Sequence, residues 1–172
     1  MNIRKVIAFI IVITSACGDV FAQRTIEVDV CVYGGTSAGV ISAYTTEALG
    51  KTAILIEPGR RLGGLTTGGL GYTDIGNKYA ITGISRDFYR RIGDHYGKFE
   101  QWIFEPKVAL DIFHDYVTRG GFEVLYDTRL KSVTKQGDRI TEIVLENSSN
   151  PSNATNIIVR AKMFIDCGYE GD

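Results

Sequence analysis

The sequence predicts an α/β fold built on a parallel sheet, with a three-stranded β-meander inserted. Three observations carry this. An alternating apolar run from Thr25 to Val32 leads into Gly34-Gly35. A helix-forming stretch from Ser37 to Leu49 follows, stops at Gly50, and is succeeded by a second apolar run from Thr52 to Ile56. Strand, tight turn, helix, short loop and strand in that order make a parallel pair with a right-handed crossover. Further on, short β-rich runs flank the turn Gln136-Gly137-Asp138-Arg139, as in a hairpin.

The N-terminus stands apart from that fold. Arg4 and Lys5 precede an apolar run from Val6 to Ile13, a signal-peptide pattern. The run is shorter than the roughly 20 apolar residues that cross a bilayer. Val20-Phe21-Ala22 fits signal cleavage near Ala22, before Gln23. Ile13-Thr14-Ser15-Ala16-Cys17 fits a lipoprotein box that would anchor the chain at Cys17. Both readings imply export, periplasmic or extracellular, and both stay open. The expected division is a signal peptide over 1–22 and one folded unit over 23–172. A formal net charge of -1 without a basic block points to neither a nucleic-acid partner nor an electrostatic membrane contact, and none is expected. Membrane association is expected only through a lipid at Cys17.

The elements follow in order. In the first strand Ile26, Val28, Val30 and Val32 alternate. On the helix, Ala38, Ile41, Ala48 and Leu49 offer a small-residue face for packing on a sheet. Pro58 to Tyr79 reads as loop, and its glycine-rich centre, Arg61 to Gly71, as functional loop rather than linker. Ile84, Phe88, Ile92 and Tyr96 predict a helix by their four-residue spacing. A second helix is expected from Pro106, suited to N1, to Arg119, with Gly120-Gly121 ending it. Phe122 to Tyr126, Leu130 to Thr134 and Ile140 to Leu145 read as strands. Asn147 to Asn156 is a polar loop; its two sequons carry little weight beside a lipoprotein-like start. Ile157 to Arg160 is expected to close the meander, and Met163 to Cys167 to form a last buried strand.

The chemistry lies in the first turn. Gly34 suits a tight turn and Gly39 close helix–strand packing. Helix N-terminal N–H groups with the positive dipole end hold pyrophosphates. Glu57, 23 residues after Gly34, closes the second strand where a carboxylate accepts from ribose hydroxyls. The spacing is that of a dinucleotide-binding βαβ unit. It does not separate NAD from FAD; the Gly63-Gly64 loop and the meander favour FAD. Thr36 stands where the strict fingerprint has glycine, with a hydroxyl able to donate to a phosphate. Cys31 and Cys167 read as buried thiols, although export would permit a disulfide. His95 and His114 lack metal-ligand spacing, and no metal is expected.

Taken together, Gly34-Gly35-Thr36-Ser37-Ala38-Gly39, Glu57-Pro58, Leu62 to Leu70, Phe104-Glu105-Pro106 with Ala109, and Ile165-Asp166 with Tyr169 to Asp172 resemble the secreted FAD-dependent oxidoreductases of glutathione-reductase-like fold, often labelled xanthan lyases. The resemblance implies a Rossmann-like FAD-binding domain. It places Gly34, Gly35, Thr36, Ser37, Ala38 and Gly39 at the FAD pyrophosphate and Glu57 at the adenosine ribose. Gly63 and Gly64 would approach the pyrophosphate or flavin side, and the Val133 backbone the adenine. Asp166, Cys167 and Gly168 would form a small-residue turn beside the cofactor, with Asp172 within reach of the ribitol. The family pattern continues beyond Asp172, so the substrate region is expected to be absent and the domain incomplete.

The leading reading is therefore an FAD-dependent oxidoreductase acting on a small organic or saccharide-like substrate. An NAD-dependent enzyme and a truncated, non-catalytic nucleotide-binding fragment are the alternatives. Tyr72, Asp74, His95 and Tyr169 have side chains able to move a proton, but nothing in the sequence selects a catalytic residue. Polysaccharide elimination would follow from the family label alone.

Overall fold

The computed structural model describes residues 24–151 and 156–171. The signal-peptide pattern, Cys17, the cleavage site at Ala22, the second sequon and Asp172 lie outside the described residues.

Six strands form one sheet: β1 (Arg24–Tyr33), β2 (Ala53–Ile56), β3 (Glu123–Leu125), β4 (Thr128–Gln136), β5 (Arg139–Asn147) and β6 (Ile157–Asp166). Their order is β3-β2-β1-β6-β5-β4. β3, β2, β1 and β6 are parallel, whereas β5 pairs antiparallel with both β6 and β4. Among the described residues four α-helices accompany them: α1 (Ser37–Ala48), α2 (Leu65–Gly68), α3 (Gly83–His95) and α4 (Pro106–Gly120). The mixed α/β, Rossmann-like architecture is the expected one. Among the described residues no helix is long and apolar enough to cross a membrane.

The last strand differs from expectation. Ile157 to Arg160 and Met163 to Cys167 are not separate strands but parts of one ten-residue strand, β6. Its first residues pair antiparallel with β5, Leu145 opposite Ile157 and Glu142 opposite Arg160. Its other edge pairs in parallel with β1, from Arg24–Ile157 to Tyr33–Asp166. Ala161-Lys162 carries no turn residue that would break it. The meander thus shares its third strand with the parallel sheet.

Side chains alternate across the sheet. On the helical face Val32 and Leu55 join Val40 and Ala43 of α1, Phe88 and Ile92 of α3, and Ala109, Phe113 and Tyr116 of α4. On the other face Cys31, Ile54 and Ile56 cluster with Ile143, Leu145 and Val159, so the meander encloses a second core. All four residues of β2 are buried, as befits a strand covered on both sides.

The packing face of α1 also differs from expectation. Gly39, Val40 and Ala43 are buried, whereas Ala38, Ala48 and Leu49 are exposed. The contact of Gly39 with the end of β1 sets the rotation of the helix, and its period of 3.6 residues then turns Val40 and Ala43 inward. The expected α3 stripe does face the core: Phe88 and Ile92 are buried, Ile84 and Tyr96 partly so. A polar network ties α3 to α4. Tyr116 Oη donates to Asp87 Oδ2 at 2.9 Å, and Arg91 bonds Asp87 at 2.6 Å and Asp115 at 2.8 Å. In α4, Pro106 sits at N1 and Gly121, at φ 73°, supplies the left-handed cap.

Candidate dinucleotide site

The site lies where β1, β2 and β6 end. Gly34 takes φ 92°, and its N–H donates to the Ile56 carbonyl at 2.8 Å. A Cβ on Gly34 would come within 2.6 Å of the Gly168 backbone nitrogen. A Cβ on Gly39 would collide with the Gly34 carbonyl oxygen. Both glycines are therefore dictated by backbone approach: α1 starts in contact with β1, and the chain leaving β6 rests on the turn.

Thr36 caps α1. Its hydroxyl accepts from the Gly39 N–H at 3.3 Å and donates to the Cys167 carbonyl at 2.9 Å. Hence the hydroxyl expected to donate to a phosphate is engaged within the fold. The Val40 N–H bonds the Thr36 carbonyl. Of the first four N–H groups of the helix, those of Ser37 and Ala38 are left without a partner in the helix. They define an anion-binding end.

Glu57 faces this turn. One carboxylate oxygen accepts the Gly35 N–H at 2.8 Å and the other the Gly59 N–H at 2.7 Å. A carboxylate has about four lone-pair sites, so each oxygen keeps one for a further donor. The orientation needed to take two neighbouring hydroxyls is fixed before any ligand arrives.

The second glycine loop docks on the first. The Gly63 N–H donates to the Gly35 carbonyl at 2.8 Å, and Ser37 Oγ donates to the Gly63 carbonyl at 3.0 Å. Ser37 Oγ also bonds Thr66 Oγ1 at 2.9 Å. Gly63, at φ 88°, lies so close to the Phe113 ring that a Cβ would approach it to 2.6 Å. Part of the expected loop is in fact the short helix α2, closed by a bond from the Thr67 hydroxyl to the Leu62 carbonyl. Tyr169 reaches over Gly64, its hydroxyl accepting the Leu65 N–H at 3.0 Å. Beside these loops a cleft of about 480 Å³ opens between α1 and α3, lined by Ser37, Ala38, Ile41, Thr66, Phe88 and Phe113 among others.

The structure thus brings together Gly34, Gly35, Thr36, Ser37, Ala38, Gly39, Glu57, Gly63, Gly64 and Gly168. Asp166 ends β6 next to them and accepts the Gly168 N–H at 2.8 Å. Val133 is placed elsewhere. The residues beside Glu57 are Asp127 and Thr128, whose N–H groups bond Gly59 and Glu57 carbonyls. Val133 lies five residues further along β4, a distance of roughly 16 Å at about 3.3 Å per residue. It lines a cavity of about 130 Å³ with Cys31, Tyr33, Leu130 and Asp166, on the meander side. The start of β4 is the segment that sequence reasoning missed; the left-handed Asp127, at φ 50°, marks it.

The thiols are not poised for chemistry. Cys31 and Cys167 are both free. Burial pushes Cys31 up to about 12 and raises Cys167 despite the Ser42 hydroxyl beside it. Among the described residues no group of three acidic, histidine or cysteine side chains is arranged to hold a metal. Of the residues with a side chain able to move a proton, Tyr169 adjoins the glycine loops, whereas His95 lines a groove between α3 and α4.

A bound FAD needs anion donors, a ribose acceptor and backbone bare of side chains. The Ser37 and Ala38 N–H groups, Glu57, and the glycines 34, 35, 63 and 64 supply these, and the residues fit the group. Comparison with known proteins agrees. No curated protein sequence matches the chain. Solved structures share its fold at low identity. THI4 of Thermovibrio ammonificans is 18% identical with a TM-score of 0.59, over 81% of this chain and 57% of that one. A geranylgeranyl bacteriochlorophyll reductase-like protein of Thermoplasma acidophilum is 20% identical with a TM-score of 0.59, over 85% and 40%. The myxobacterial chondrochloren halogenase CndH, a FAD-dependent halogenase, is 16% identical with a TM-score of 0.57, over 85% and 38%. The chain thus spans 38–57% of the length of these three. The sequence model described as FAD dependent oxidoreductase matches residues 29–172. With FAD as its cofactor, the chain belongs to the FAD dependent oxidoreductase family.

Proposed function

We propose that this chain is the cofactor-binding part of an exported flavoprotein that oxidises or reduces a small organic substrate. The observation that carries the reading is the pair of interlocked glycine loops, which presents the Ser37 and Ala38 N–H groups, unbonded within α1, beside a pre-oriented Glu57. When bound, FAD supplies the hydride or electron transfer. The chain's residues bind and orient it. Ser37 and Ala38 donate to the pyrophosphate at the positive end of α1. Glu57 accepts from the adenosine ribose hydroxyls. Gly34, Gly35, Gly63 and Gly64 permit close backbone approach. Gly39 and Thr36 hold α1 in place, and Asp166 shapes the turn at Gly168. The start of β4, at Thr128 to Leu130, flanks the adenine end in place of Val133.

Family membership favours FAD over NAD, and no residue here supports eliminative sugar chemistry. Export is read from residues 1–22, with cleavage near Ala22 or lipidation at Cys17. The mass of the mature N-terminus in cells decides between these: a chain starting at Gln23 supports the first, and a lipid-modified Cys17 the second.

The cofactor assignment is tested by expressing the whole chain, titrating FAD and recording flavin absorbance and fluorescence after gel filtration. Co-eluting flavin whose yellow colour bleaches on reduction supports the proposal. A protein that stays colourless after reconstitution refutes it.

A further inference from the structure

We propose that Thr36 is a positioning residue whose hydroxyl locks the end of β6 onto the cofactor turn. The part concerning FAD rests on the reading above. In the glycine fingerprint this position is bare because a side chain crowds the pyrophosphate. Here the side chain caps the first turn of α1 and is held by bonds within the fold. It is 9% exposed, and its one hydroxyl is used twice, from Gly39 and to Cys167. The partners belong to different segments: Gly39 to the first turn of α1, Cys167 to the chain leaving β6, 131 residues beyond Thr36. Two contacts reinforce the junction. The Cys167 N–H donates to the Tyr33 carbonyl at 2.7 Å, and the Gly168 backbone fills the space that a Cβ on Gly34 would need. Thr36 thus exchanges the bare backbone of the fingerprint for a bridge. The bridge fixes the Ser37 and Ala38 N–H groups relative to Asp166 and Gly168, which lie on the other side of the site. Without the hydroxyl, the Gly39 N–H and the Cys167 carbonyl would lose a partner in a largely buried place, where unpaired polar groups are costly.

Two readouts on the full chain test this. One is the alkylation rate of Cys167 by iodoacetamide, followed by peptide mass, which needs no FAD. The other is FAD affinity from fluorescence titration. Thr36→Val keeps the shape without the hydroxyl and is expected to raise alkylation severalfold and weaken FAD binding by about tenfold. Thr36→Ser is expected to behave as the wild type in both. Thr36→Gly, which restores the fingerprint residue, is expected to follow Thr36→Val. Alkylation at the wild-type rate in Thr36→Val and Thr36→Gly, or a serine variant as reactive as those two, overturns the lock. Should the valine variant not fold, the serine and glycine pair carries the comparison. A wild type that binds no FAD while the alkylation pattern holds overturns the cofactor reading and leaves the lock standing.

Discussion

Gly39→Ala sets two effects against each other. Alanine is the better helix former, by about 0.8–1.0 kcal/mol in a helix interior. Yet the added methyl would be driven into the Gly34 carbonyl oxygen, a backbone atom that no rotamer change can move. Relief requires α1 to shift away from β1, where Val40 and Ala43 are fully buried against the sheet. Overpacking of this kind costs about 1–3 kcal/mol and occasionally more, so the clash outweighs the propensity gain. A net loss of about 1–2 kcal/mol lowers the melting temperature by roughly 2–8 °C for a domain of this size. The same shift carries the Ser37 and Ala38 N–H groups off their position, so FAD affinity is expected to fall about tenfold, equivalent to about 1.4 kcal/mol. Gly68→Ala is the control. Gly68 is helical, and a Cβ there meets nothing within 4 Å. Its melting temperature is expected to stay level or rise slightly. Thermal unfolding and fluorescence titration measure both variants. If Gly39→Ala melts and binds FAD as the wild type does, the close approach of α1 and β1 does not constrain the site.

Three other substitutions probe separate parts of the argument. Glu57→Gln offers one acceptor to the two backbone donors, Gly35 and Gly59, and turns its NH₂ toward the second; a loss of about 1–3 kcal/mol in urea unfolding is expected, with weaker FAD binding. Unchanged stability and affinity would show that the carboxylate fixes neither. Phe113→Ala removes a ring that is 2% exposed and supports Gly63; urea unfolding should register a loss of about 3–5 kcal/mol. Asp29 is held at about 2 by its hydrogen bond with Lys162 and by the Thr52 N–H, against an ordinary value of 3.8. The sign follows from that depression: the contribution is complete above 3.8 and disappears as pH falls through about 2. The melting deficit of Asp29→Asn should accordingly be largest near neutrality and vanish at the acid end, and a deficit independent of pH would refute the charge argument.

Much of the fold was legible because its signals are local. The alternation in β1, the four-residue spacing in α3, Pro106 and Gly121 at the ends of α4, and the glycine turn before Ser37 each reflect a backbone preference or a period within a few residues. What was not legible depends on partners far away in sequence. The burial face of α1 follows from the contact of Gly39 with Gly34 rather than from the positions of alanine and leucine along the helix. β6 reads as two strands because its two edges serve different neighbours, and only their arrangement in space makes it one. The resemblance puts the Val133 backbone at the adenine, whereas the ladder from Thr128 carries that residue away from Glu57.

The sequence by itself determined the parallel βαβ unit, the glycines that bring its turn close to a ligand, and the carboxylate at Glu57. These are matters of residue type and spacing, which the chain carries wherever it goes. The tertiary structure decided how those parts work together. It gave the Thr36 hydroxyl to Cys167 instead of a phosphate, anchored Glu57 on Gly35 and Gly59, seated Gly63 on Gly35, and drew Tyr169 over Gly64 from 104 residues beyond Leu65. Each is a hydrogen bond between segments that meet only when the sheet has formed, so the partner is set by strand order and register, which no local preference encodes.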